Sequence, residues 1–146
     1  MAFPSATNNA ALGSALTQLQ NVAAGIKSTA MAAVTFLADN NVNTAYVFQT
    51  LDQLSGVITL LNSFKNVVGL NAYATANIPG YAGTLTTDLA VVVSAAQACI
   101  DWVVTNTAGV TWYSLNADGT RTMAMFTPTQ TAGFRTTLTA LAATIS

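Results

Sequence analysis

LGSALTQLQNVAAGIKSTAMAAVTFL, residues 12–37, decides how the rest of the chain is read. Leu12, Leu16, Leu19, Ala23, Ile26, Ala30, Ala33 and Leu37 recur at alternating spacings of four and three without a break. That pattern is one apolar seam along one helix, not the period-two alternation of a strand. It predicts a helix over about residues 8–38, with Asn8 or Thr7 as cap after Pro4 and DNNVN (39–43) as stop and turn. Some thirty helical residues make a rod ~45 Å long. Such a seam needs partners of similar length.

Three further stretches supply them. Over 44–68, Val47, Leu51, Leu54, Ile58, Leu61 and Val68 repeat the device, Phe48, Val57 and Phe64 widen the stripe, and Asn43 or Thr44 can cap it. Lys65 falls on this seam, where its stem can lie on apolar surface while its charge reaches water. Over 84–106, Leu85, Leu89, Val92, Ala96, Cys99 and Val103 share a seam broadened by Ile100 and Trp102, with Thr84 as cap. Over 128–145, Phe134, Leu138, Leu141 and Ile145 face one side. There Thr127 as cap, Pro128 at the first helical position and Gln130 three residues after the cap form a capping-box pattern. Between the second and third helices, GLNAYATANIPGYAGT (69–84) reads as an irregular connection, since Gly69 and Ile-Pro-Gly are breakers.

Between the third and fourth helices, VTWYSL and TRTMAMF flank N-A-D-G, the pattern of a β-hairpin over about 110–126 with Gly119 in the left-handed conformation. The elements together predict one mainly α domain spanning 1–146, an antiparallel four-helix bundle with a β-hairpin inserted between its third and fourth helices. Alternation along the hairpin sends Met123 and Met125 to one face and Thr122, Ala124 and Phe126 to the other. Trp112, Tyr113, Arg121, Met123, Met125 and Phe126 are the candidate interface residues, because aromatic residues, Met and Arg are enriched where proteins meet. Whether they meet their own bundle or a neighbouring subunit is open at this point.

Composition narrows the function. Only 6% of the 146 residues are charged, against about 25% in ordinary soluble domains. Mean hydropathy is +0.48. There are five Asp, two Lys and two Arg, and neither Glu nor His, while Thr alone accounts for 23 positions. A net charge of -1 offers no field to steer a nucleic acid. Lacking His and Glu, the chain has lost the common general bases and most metal ligands, so neither enzyme activity nor a cofactor or metal site is expected. Asp88 and Asp101, thirteen residues apart on one helix, cannot form a carboxylate pair, and read as solvent-facing charges near the helix ends. Cys99, set among apolar neighbours without a base, reads as a small core residue. N-A-D-G-T (116–120) overlaps a calcium-loop fragment, but without the first Asp, the alternating ligands and the terminal Glu it reads as a turn. The first sixteen residues lack the basic and apolar regions of a secretory signal, so no signal peptide is expected. LAVVVSAAQACIDWVV (89–104) is the strongest candidate membrane span, but Asp101 interrupts it and no Lys or Arg flanks it. A buried amphipathic helix is the expected reading, and no membrane partner is expected.

In style, this short, Ala- and Thr-rich, nearly uncharged chain, with YSLNADGTRTMAMFTP (113–128) followed by TQTAGFRTTLTAL (129–141), resembles small virion structural proteins of tailed bacteriophages. The resemblance implies a non-enzymatic assembly protein of the head, neck, tail or decoration, made in the host cytoplasm and residing in the virion. Its partners would be copies of itself and other virion proteins. Two readings compete: a small binding module or enzyme with a pocket between bundle and hairpin, presenting Trp112, Tyr113, Asp118 and Arg121, and a membrane-associated helical protein.

Overall fold

A computed structural model describes residues 11–64, 67, 69–78, 80–81, 84–107 and 113–145, with the backbone alone at 11–14, 44, 113, 114 and 123. The described chain is mainly helical with a small antiparallel strand content. The helices are α1 (Ala11–Asp39), α2 (Thr44–Phe64), α3 (Leu70–Asn77), α4 (Leu85–Thr107) and α5 (Ala132–Ala143). The strands are β1 (Val42–Asn43), β2 (Tyr113–Leu115), β3 (Arg121–Met123) and β4 (Met125–Phe126).

The 4-3 seam of α1 forms one wall of the core. Leu16, Leu19, Ala23, Ile26, Ala30, Ala33 and Leu37 are all buried. α1 packs on α5, α5 on α4, α4 on α2, and α2 on α1, while α3 lies against α1 and α4. Every seam position named on α4 is buried, Cys99 included, and burial pushes its thiol pKa up. On α5, Phe134 is fully buried and stacks on Trp102 of α4, ring centroids 5.1 Å apart and planes 12° from parallel. Gly133 permits that approach, since a Cβ there would stand 2.4 Å from the Trp102 indole nitrogen.

Two local hydrogen-bond patterns expected from the sequence form, one of them at a helix start. Asn43 Oδ1 accepts a bond from the Tyr46 amide at 3.0 Å, the N-cap geometry at the head of α2. The capping box is complete: the Thr127 amide donates to Gln130 Oε1 at 2.8 Å, and the Gln130 amide donates to Thr127 Oγ1 at 3.3 Å. The regular helix nevertheless begins only at Ala132, because residues 128–131 form a turn before it. Lys27 of α1 donates to the Ile145 carbonyl at 3.1 Å, placing a cation just beyond the C-terminus of α5.

Three further expectations change. The connection 69–84 is not wholly irregular, because Leu70–Asn77 is helical with Leu70 and Ala74, one turn apart, buried on its inner face. Gly69, at φ 80°, sits at that helix's boundary rather than inside it. Asp88 is not solvent-facing. It is 5% exposed and accepts a hydrogen bond from the Tyr81 hydroxyl, itself 7% exposed. The strand TRTMAMF does not run unbroken to Phe126: Arg121–Met123 pairs with Tyr113–Leu115, whereas Met125–Phe126 pairs with Val42–Asn43. Phe126 gains more by burying its ring beside Val42 than by extending the first ladder. By length and composition α4 and residues Ala15–Asp39 of α1 are both long and apolar enough to cross a membrane, α4 being the more apolar, in line with its reading as the strongest candidate span. Residues 110–112 of the expected hairpin lie outside the described residues, as do Lys65 and Val68 of the second seam.

Gln20 was not anticipated. It is fully buried on α1, and its amide nitrogen and oxygen have no hydrogen-bond partner among the described residues. An unpaired buried amide costs stability that an apolar side chain of similar shape does not. Gln20→Met is therefore expected to raise the unfolding free energy by about 1 kcal/mol. A lower denaturation midpoint for Gln20→Met would contradict this.

Candidate interaction surface

The turn between β2 and β3 is built by its own polar side chains. The Gly119 amide donates to the Asn116 carbonyl at 3.0 Å, and the Asn116 amide donates to the Thr120 carbonyl at 2.8 Å. Gly119 has φ +86°, as a tight turn followed by a left-handed residue requires. Asp118 Oδ1 accepts from the Thr120 hydroxyl at 2.6 Å and the Thr120 amide at 3.0 Å. Those bonds hold the Asp118 carboxyl below the usual carboxylate range. The Asn116 side-chain amide donates to Thr120 Oγ1 at 2.9 Å and Thr122 Oγ1 at 3.0 Å. Asp118 is thus committed to shaping the turn. Among the described residues no group of three His, Cys, Asp or Glu side chains stands close enough to hold a metal ion. Gly119→Val is expected to cost about 1 kcal/mol or more, because a β-branched residue resists positive φ. Equal thermal midpoints for Gly119→Val and the parent protein would contradict that turn.

This turn carries an exposed end. Leu115 is 71% exposed and pairs in register with exposed Arg121. Met125 is 53% exposed, while its neighbour Phe126 is buried against its own chain. Of the six candidate interface residues, Arg121 and Met125 are therefore displayed and Phe126 is not. Tyr113 and Met123 are opposite one another in the ladder, their side chains lying outside what is described, and Trp112 lies outside the described residues altogether.

A second surface was invisible in the sequence. α1 and α2 leave between them a groove of about 460 Å³, walled by Val22, Gly25, Gly56, Val57 and Leu60 and floored by Leu138 of α5. It continues into a hollow bordered by Phe36 and Tyr46. Those two rings meet at 5.1 Å and close the groove at the α1–α2 turn. Thr29, Thr50 and Gln53 are polar members of the groove, and none of its lining residues is charged. The Thr50 hydroxyl donates to the Tyr46 carbonyl at 3.1 Å, so it is already engaged. A groove lined this way can exclude water from an apolar occupant.

No protein-family model matches the chain, and neither a curated protein nor a solved structure matches it significantly.

Proposed function

We propose that this protein is a non-enzymatic assembly subunit, a component of a tailed-bacteriophage particle that works through contacts with copies of itself and with other virion proteins. α1, α2, α4 and α5 are read as an antiparallel four-helix bundle forming a single domain, with the β2–β3 hairpin as an appendage between the last two helices. The observation that carries the proposal is the character of the surface. Met31, Phe36, Leu60, Val104, Leu115 and Met125 are each at least 43% exposed in a chain with only nine charged residues. Such a surface gains little by staying in water and costs little to desolvate. It suits a permanent contact better than a free monomer.

The competing enzyme or binding-module reading placed a pocket between bundle and hairpin. Among the described residues, grooves lie between α1 and α2 and beside α3. Fractionating the natural source on a density gradient tests the proposal. The chain should travel with intact particles and remain with them through a salt wash. Recovery wholly in the free-protein fraction would overturn the assignment to a particle.

A further inference from the structure

The outer face of α1 and α2 bears a half-exposed aromatic ring at one end and two glycines with open space beside them toward the other. Phe36, 44% exposed, stands at the end closed by the α1–α2 turn. Toward the opposite end lie Gly25 and Gly56, where an added Cβ would meet nothing within 4 Å, beside half-exposed Leu60. Phe36 and Gly25 are separated by eleven residues of one helix, ~16 Å along its axis. The face thus carries both a knob and a space without a side chain.

We propose that this face is an isologous dimer interface, in which α1 and α2 of one copy lie across α1 and α2 of a second copy in the opposite direction. A two-fold axis in the plane of the face, crossing α1 midway between Gly25 and Phe36, sets each Phe36 over the partner copy's Gly25 hollow. Residue i then meets j while j meets i, the condition for a closed two-fold contact. The available area agrees with this occupant. α1 and α2 are 29 and 21 residues long. Two such helices side by side, each ~10 Å wide, present about 750 Å². A stable dimer buries about 800 Å² per partner. Along this face the helical spacing places Gln18, Val22, Gly25, Thr29, Ala32 and Phe36 of α1 on one strip, all uncharged. Asp52, exposed on α2, is the charge that the same spacing brings to the rim of the face, close to the two-fold axis. Two copies of it would approach one another, so it sets a limit on affinity that a neutral residue removes.

This inference rests on the assembly reading and adds to it the surface and the symmetry. The test uses the full chain carrying Gly25→Cys and Phe36→Cys together, oxidised under mild conditions. Within one chain these positions are ~16 Å apart along a helix, far beyond the ~7 Å limit on Cα separation for a disulfide. Any 25–36 bridge is therefore between copies, and peptide mapping identifies it. The proposal predicts a covalent dimer bridged 25–36, a several-fold loss of dimer in Phe36→Asp, and a several-fold gain in Asp52→Asn. An oligomer whose mass is unchanged by Phe36→Asp, with no 25–36 bridge, would overturn this interface and leave the assembly reading intact. A parent protein that is monomeric throughout would overturn both.

Discussion

Phe134→Ala is expected to lower the unfolding free energy by about 3–5 kcal/mol, the range for emptying a well-packed aromatic site. Phe134 is fully buried and makes the stacked contact with Trp102 that joins α4 to α5. α5 has only 12 residues, and Thr136, Thr137 and Thr139 are three of them. Thr is a mediocre helix former because β-branching restricts its rotamers. Docking through Phe134, Leu138 and Leu141 therefore holds this helix more than its own propensity does. Domains are stable by only about 5–15 kcal/mol, so the variant should be close to unfolding at ordinary temperature. Urea denaturation followed by far-ultraviolet circular dichroism measures the effect. A loss below about 1 kcal/mol would show that α5 does not depend on this site.

Tyr81→Phe is expected to cost about 1.5–3 kcal/mol at neutral pH, the range for hydrogen bonds to charged groups. Tyr81 lies between α3 and α4, and its hydroxyl donates to buried Asp88 in the first turn of α4. Asp88 holds a further interaction, so the variant weakens its environment without stripping it bare. In the folded protein, burial, the hydrogen bond and the nearby carboxylate all raise the Tyr81 pKa above its ordinary value near 10. The sign follows from the protons bound. Below pH 10 both folded and unfolded chains keep the Tyr81 proton, and the full contribution is present. Above it the unfolded chain releases the proton while the folded one retains it, so stability falls as pH rises. The gap between parent and Tyr81→Phe should therefore narrow above about pH 10. A gap that stays constant from neutral to strongly alkaline pH would contradict the buried pair.

What the sequence made legible was whatever a single helix decides for itself. The seam from Leu16 to Leu37 is buried because its 4-3 spacing allows one face alone to meet the core. The Thr127–Gln130 box and the positive φ of Gly119 depend on neighbours within a few residues, and both were readable for that reason. Contacts made at a distance were not. Val42 and Phe126 come together across eighty-odd residues, and nothing local in DNNVN announces a strand partner. Asp88 looked like a helix-end charge because its burial depends on Tyr81 reaching it from a connection read as irregular. In that connection Gly69 and Ile78, the first residue of the Ile-Pro-Gly breaker, bound a helix rather than exclude one. The α1–α2 groove depends on how far apart two helices pack, and the sequence periodicity of either helix alone does not express that separation.

Sedimentation equilibrium of the untagged chain over a wide concentration range tests the claim of an assembly subunit most directly. The chain weighs 15.0 kDa. The expected result is a defined mass at an even multiple of that value, persisting on dilution. A single species of 15.0 kDa at the highest attainable concentration, freely soluble and monodisperse, would contradict it.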